Sequence, residues 1–309
     1  MILGIDTSNY TTSVSMVSNG MIVKDIRKVL TVKQGARGLR QSEAFYQHME
    51  NLPQLMDELG VIRPDAIAVS VAPRKVEGSY MPCFKAGIST ARILSRILGS
   101  ELICTTHQEG HIEAALYGND GIDTDHFLCV HLSGGTTELL LCKKEQDGFT
   151  SNILGRTIDI SAGQLIDRIG VLCGLKFPCG CEMDQQYNPD AVLKLKQSVI
   201  GNDISFSGLE AQILRLLPSA SQTELISSVF YYVAQSVYSA VQNAAQEYQI
   251  KDVLFAGGVS SGRNIRSKLT ELGLCGIRTW FASADLGNDN AVGVALIGER
   301  IMRGSNFGK

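Results

Sequence analysis

Apolar and polar positions alternate in three bursts at the start of the chain, and Ile2–Asp6, Ser13–Val17 and Met21–Arg27 read as successive strands. A 3.6-residue periodicity then predicts a helix over Ser42–Leu59, and the β-branched run Ala66–Val71 predicts a buried strand. Cys83–Leu98 reads as a helix, Glu101–Cys104 as a short strand feeding another helix. The order then restarts. Phe127–His131, Glu138–Cys142 and Phe149–Leu154 are strands, and Ala162–Leu175 and Thr223–Tyr248 are helices. Asp252–Ala256 is a strand, Arg263–Leu272 a helix, Ile277–Phe281 a strand and Ala291–Met302 a last helix. Strands and helices in this repeated order predict two related α/β domains, 1–120 and 121–290, with a C-terminal helix in 291–309 packing back on the first.

The repeat is visible in the letters. Residues 3–14 read LGIDTSNYTTSV and residues 128–139 read LCVHLSGGTTEL, so Leu3, Ser8, Thr11 and Thr12 recur 125 positions later. Each copy is a strand, a tight polar turn and a second strand. In the second copy, Ser133-Gly134-Gly135-Thr136-Thr137 puts two glycines and three hydroxyls at a hairpin tip. Backbone N–H groups freed of Cβ atoms, together with hydroxyls, suit phosphate oxygens, although a plain hairpin also uses glycine. Ala256-Gly257-Gly258-Val259 lies between a strand and a helix, where small residues admit a flat group or a phosphate. Two hairpin tips plus one glycine turn form the layout of actin-like ATPases. The fold expected is therefore actin-like (the ASKHA group), built from two duplicated RNase H-like domains.

The chain has 309 residues, 44% hydrophobic and 19% charged, with a formal net charge of −3. That balance gives no strong global attraction to nucleic acid. Locally, Lys24, Arg27, Lys28, Lys33, Arg37 and Arg40 make 24–40 basic, a solvated face or a contact for phosphates. No apolar run is long enough to span a membrane, and the N-terminus reads directly as a strand instead of a signal peptide. Eight cysteines in a chain of this length suit a reducing cytoplasm better than a disulfide scaffold. Cys173, Cys179 and Cys181 match no standard zinc spacing, which leaves an incidental group or a redox-sensitive one.

Two of the five histidines fall in His107-Gln108-Glu109-Gly110-His111. On a helix these imidazoles share one face, so the pair reads as half a metal site or as a polar helix N-terminus facing water. It is not H-E-x-x-H, because Glu109 is out of place as that motif's general base.

With the segments around it, this motif resembles the universal tRNA threonylcarbamoyladenosine transferases, the TsaD family, formerly called glycoprotease or O-sialoglycoprotein endopeptidase. His107–His111 resembles its H-x-E-G-H helix and Ser133–Leu139 its S-G-G-H-T-Q-L hairpin. Ser161–Arg168, Pro178–Asp184, Asp203–Leu209, Ala256–Val259 and Asp289-Asn290-Ala291 match further family segments in order. The resemblance implies a third metal ligand, giving His107, His111 and Asp289, a set that suits one divalent ion, zinc or iron. It implies an acyl-adenylate along His131, Leu132, Ser133, Gly134 and Gly135, with contacts at Asp167 and Gly180. It also implies the reaction: transfer of a threonylcarbamoyl group from threonylcarbamoyl-adenylate to the adenosine next to the tRNA anticodon. The partners implied are tRNA and TsaB-like and TsaE-like proteins. A dimer and a cytoplasmic location are expected.

The chain departs from the family pattern at several places. Where the family has E-T-S-C-D-E-T, its functional aspartate is Tyr10 here and the acid after it is Thr11; its hairpin histidine is Thr136, and the asparagine after A-G-G-V is Gly262. A loop based on P-G-L is Pro73-Arg74-Lys75-Val76-Glu77-Gly78, and another segment is shortened around Gln34–His48. Tyrosine in place of an acid removes a charge and a proton acceptor. Two readings follow: a metal-dependent transferase of this type or a close variant, and a non-catalytic relative that binds metal or nucleotide as an assembly partner. A generic ATPase or sugar kinase would not need the histidine pair, and a protease lacks a nucleophile.

Overall fold

The computed structural model describes residues 1–8, 10–32, 39–119, 122–145 and 148–306. Two compact units partition the chain. The first is Met1–Tyr117, Lys144–Thr150 and Asp289–Lys309, and the second is Gly118–Lys143 and Ser151–Asn288. The C-terminal helix therefore belongs to the first unit, as does the short segment 144–150.

In the first unit, strands β1 (Ile2–Asp6), β2 (Thr11–Ser18) and β3 (Met21–Val29) precede helix α1 (Gln41–Leu59). β4 (Ala66–Ala72), α2 (Phe84–Leu98), β5 (Glu101–Thr106) and α3 (His107–Leu116) follow. The sheet runs β3-β2-β1-β4-β5, antiparallel from β1 to β3 and parallel from β1 to β5. Strand alternation sorts its residues onto two faces. Leu3, Ile5, Val14, Ile67 and Val69 pack with Leu52, Leu55 and Ala86 of α1 and α2. Ile2, Val17, Ala66, Ala68 and Ile103 pack with Val294 and Ala295.

The second unit carries β6 (His126–Leu132), then β7 (Thr137–Glu145) and β8 (Gly148–Arg156), whose ends reach the 144–150 segment. It continues with α4 (Ala162–Leu172), α5 (Gly180–Gln186), β9 (Val199–Ile200), β10 (Asp203–Ile204), α6 (Ser207–Leu216) and α7 (Gln222–Glu247). β11 (Asp252–Ala256), α8 (Arg263–Thr270) and β12 (Arg278–Phe281) complete it, and α9 (Val292–Asn306) closes the chain. Its sheet order is β12-β11-β6-β7-β8. Leu128, Val130, Val253 and Phe255 meet Leu165, Ile169, Val229, Val233 and Val237 in its core.

The duplication holds down to register. Ile5 pairs with Val14 in β1–β2, and Val130 with Leu139 in β6–β7, each position displaced by the 125 residues seen in the sequence. Leu3–Met16 and Leu128–Leu141 repeat the correspondence, and β4 and β11 lie parallel to β1 and β6 in turn. The fold is actin-like, with two RNase H-like domains. Some element ends differ from the periodicity. α4 stops at Leu172 because Gly174 takes a positive φ of 82°, and α8 ends in a 3-10 turn that closes on Gly276 at 77°. No helix among the described residues is long and apolar enough to cross a membrane.

Candidate metal centre

Helix α3 begins where it does because Thr106 and Glu109 form a capping box. Thr106 Oγ1 accepts from Glu109 N at 3.3 Å, and Glu109 Oε2 accepts from Thr106 N at 3.0 Å. The same oxygen takes the Thr105 and Thr106 hydroxyls, while Oε1 takes Phe149 N at 3.4 Å. Glu109 is thus committed to building the helix end. The cap sets the backbone of His107 and His111, whose rings stack edge to face with centroids 4.3 Å apart.

The third residue arrives on the start of α9. Asn290 Oδ1 accepts Val292 N at 3.0 Å and so caps that helix, and Ala291 N donates to Ser13 Oγ of β2 at 2.7 Å. Asp289 is left facing the histidines. α3 and α9 meet almost backbone to backbone, since a Cβ added to Gly293 would lie 1.8 Å from the Gly110 carbonyl oxygen. This contact requires glycine at position 293, and it brings α9 close enough to α3 for Asp289 to reach His111.

His111 Nε2 lies 3.0 Å from His107 Nε2 and 3.2 Å from Asp289 Oδ1, and His107 Nε2 lies 3.6 Å from the same oxygen. A tetrahedral ion with bonds of about 2.0–2.1 Å holds its ligand atoms about 3.3–3.4 Å apart, so the triangle is of the right size. Among the described residues this is the group of histidine, cysteine and acid atoms gathered within 4.8 Å. Two imidazole nitrogens and one carboxylate suit zinc or iron. Behind the triangle, Asp6 Oδ2 sits 2.9 Å from His107 Nδ1. Burial disfavours both charges, yet their mutual attraction prevails. Without a metal, Asp6 stays well below the usual carboxylate range, and His107 is pushed up to about 9 by Asp6 and, more weakly, by Asp289. A metal on His107 Nε2 would displace a proton from that atom.

The seven residues expected to face an acyl-adenylate all lie in the second unit. Ser133 N donates to Thr136 O at 2.8 Å, closing the hairpin tip. Ser161, the N-cap of α4, donates to Gly134 O at 2.8 Å. Gly163 admits this approach, as a Cβ there would lie 2.5 Å from Gly134 Cα. Further along α4, Asp167 Oδ1 accepts Cys179 N at 2.8 Å, just before Gly180 opens α5, and burial raises its carboxyl nonetheless. His131 and Leu132 abut the Ala256–Val259 turn, where Gly257 has φ 93° and a Cβ would meet Leu132 O at 2.3 Å. Gly134, Gly135 and Gly180 are different. Their φ is not positive, and a Cβ on any of them would meet nothing within 4 Å.

Lys24 bonds the Glu58 carbonyl, Lys28 Nζ bonds Gln54 at 2.6 Å, and Arg27 pairs with Asp25, so the start of the basic stretch serves its own unit. Lys33 and Arg37 lie outside the described residues, as does Asn9. Pro73 O accepts Gln108 N at 3.0 Å, and Lys75 Nζ lies 3.6 Å from Glu109, so the altered loop lies against the α3 start. Cys179 is buried against Gly170, Cys173 is half-buried and Cys181 is exposed, and all three are free thiols.

Sequence reasoning missed what Asp203–Leu209 is for. Asp159 accepts Ser205 Oγ and Ser207 Oγ at 2.6 Å each, Phe206 N at 2.9 Å and Ser207 N at 3.2 Å. It thereby starts α6 and seats the fully buried Phe206. Partial burial opposes ionisation here, but the serine hydroxyls and backbone N–H groups outweigh it and hold the carboxyl at about 2. A depressed carboxyl contributes stability above its unfolded value and loses it as pH falls through the folded one. Asp159→Asn is expected to cost about 1–2 kcal/mol at pH 7 after allowance for solvent exposure, with the gap closing between about pH 4 and 2. Urea melts of both proteins at several pH values measure it.

The family model for tRNA N6-adenosine threonylcarbamoyltransferase (TsaD) matches residues 27–296. The enzyme of that name from Dehalococcoides mccartyi is 32% identical over 285 residues, covering 87% of this chain and 84% of the relative. That from Phocaeicola vulgatus is 27% identical, covering 96% and 93%. Among solved structures, full-length HypF in its phosphate- and nucleotide-bound form aligns with a TM-score of 0.61 at 13% identity. The alignment covers 98% of this chain and 46% of HypF, so the chain spans about half of that protein. The ADPNP-bound activator of 2-hydroxyisocaproyl-CoA dehydratase from Clostridium difficile aligns with a TM-score of 0.54 at 14% identity, covering 99% and 97%. These structures share the fold, and the sequence matches go further: the chain belongs to the tRNA N6-adenosine threonylcarbamoyltransferase (TsaD) family.

Proposed function

We propose that this chain transfers a threonylcarbamoyl group from threonylcarbamoyl-adenylate to N6 of the adenosine next to the tRNA anticodon, using one zinc or iron ion at His107, His111 and Asp289. The observation that carries the reading is the triangle of three ligand atoms, 3.0, 3.2 and 3.6 Å on its edges, in a chain of this family. In the reaction a C–N bond forms at the carbamoyl carbon, the C–O bond to phosphate breaks, AMP leaves and the amine loses a proton. A bound divalent ion would supply Lewis acidity toward the carbamoyl and threonyl oxygens. Gly134 and Gly135 support the adenylate reading, because neither crowding nor backbone conformation demands glycine at the hairpin tip. A missing side chain that the fold does not need suits close approach of a ligand. The reading carries with it a cytoplasmic location, a dimer, and TsaB-like and TsaE-like partners.

A second reading, a metal- and nucleotide-binding assembly partner without transfer activity, is favoured by Tyr10, Thr136 and Gly262 at the altered positions. Complementation separates the two. A bacterium lacking its own transferase, supplied with the partner enzymes, is expected to regain modified adenosine when it expresses this chain. No modification would favour the assembly reading. Gly134→Ala should leave the fold intact, since its Cβ enters open space, yet lower modification by about tenfold, equivalent to about 1.4 kcal/mol of lost binding.

A further inference from the structure

Asp6 is the last residue of β1, a strand buried along its length between β2 and β4. Its side chain is 1% exposed. Both oxygens are engaged: Oδ1 accepts Ser8 N at 2.8 Å, and Oδ2 lies 2.9 Å from His107 Nδ1. Such a carboxylate cannot swing, and its position is set by the central strand of the sheet. The ring it faces hangs from the first residue of a capped helix. A strand end and a helix start thus grip His107 from two independent elements.

We propose that Asp6 is the positioning residue of the metal centre. By accepting the Nδ1–H it fixes the tautomer of His107 and aims the lone pair of Nε2 at the point shared with His111 and Asp289. It also sets the plane of the ring and increases its donor strength toward an ion. His111 lies on the same helix, and Asp289 stands just before α9. Nδ1 of His107 faces Asp6 at 2.9 Å, whereas Nε2 faces His111 at 3.0 Å and Asp289 at 3.6 Å, so the two ring nitrogens have separate partners.

The inference rests on the metal reading above, and the test separates the two. Metal-free wild type, Asp6→Asn and Asp289→Ala are compared by competition for Zn(II) and by the visible spectrum of bound Co(II), with melting of the metal-free proteins alongside. Asp6→Asn is expected to weaken Zn(II) binding by about 10–100-fold and to alter the Co(II) bands, changes that a purely structural role would not produce in a folded protein. Asp289→Ala should lose specific binding. Wild-type affinity and spectrum in Asp6→Asn, with binding lost in Asp289→Ala, would overturn the role of Asp6 and leave the site standing. Unchanged binding in both variants would overturn the site itself. An independent measurement on the wild-type chain covers a variant that fails to fold. Imidazole nitrogen NMR of the zinc-loaded protein should show His107 bound through Nε2, with a slowly exchanging Nδ1–H. Binding through Nδ1, or an Nδ1–H exchanging at the solvent rate, contradicts the proposal.

Discussion

Gly293→Ala is expected to destabilise the protein by more than about 3 kcal/mol, lowering its melting temperature by about 6–12 °C, and to strip it of metal. The added Cβ would lie 1.8 Å from the Gly110 carbonyl oxygen and 2.8 Å from Ala114 N, and both are backbone atoms. Ordinary contact begins near 3.4 Å, so α9 must withdraw from α3. The same helix packs Val294 and Ala295 against β1, β4 and β5, so the strain spreads into a close-packed core. Withdrawal also carries Asp289 away from His111. Gly110→Ala is the informative contrast. Its Cβ would meet Val294 Cγ2 at 3.0 Å, so that methyl need give by only a few tenths of an ångström, and alanine favours the helix by about 1 kcal/mol, so the net change is expected within about 1 kcal/mol. Urea unfolding of the two variants checks this. Equal stabilities would mean that the α3–α9 contact does not set the site.

His107→Ala is expected to reduce bound metal from about one ion per chain to near none. It should also destabilise the metal-free protein by about 3–5 kcal/mol, because Asp6 is left buried without its cationic partner. Asp289→Ala should lose the metal as fully at a smaller cost in stability. It gives up the hydrogen bond to His111 and the attraction of His107, but the side chain it removes is 24% exposed and its charge repels Asp6. Elemental analysis and thermal melts of the two variants therefore dissociate. A His107→Ala protein with full metal content would show that the ion sits elsewhere.

Much of this architecture was legible in the letters because it rests on local periodicity. Alternating Ile2–Asp6 and the 125-residue repeat predicted strands whose pairing register the structure reproduces. His107 and His111 were legible as a helical pair. Their partner was not, since Asp289 lies 178 residues beyond His111 and came only from the family resemblance. Asp6 looked like the end of a strand, and its bond to His107 spans 101 residues. Helix α6 escaped notice because its start is set from a distance by Asp159, and α5 because seven residues give too short a window for a period. Local pattern cannot encode a cap donated from 48 positions away. Nor could it show that Gly110 and Gly293 face one another, which only the crossing of two helices makes evident.

Transfer itself is the most direct test of the proposed function. Purified chain, stripped with a chelator and then reloaded with zinc or iron, is mixed with tRNA and threonylcarbamoyl-adenylate, and the nucleosides are analysed by mass spectrometry. Threonylcarbamoyl is expected on the adenosine next to the anticodon with the reloaded chain, and none with the stripped chain or with Asp289→Ala. Equal product from the stripped chain or from Asp289→Ala would contradict the metal assignment, and no product under any loading would contradict transfer by this chain.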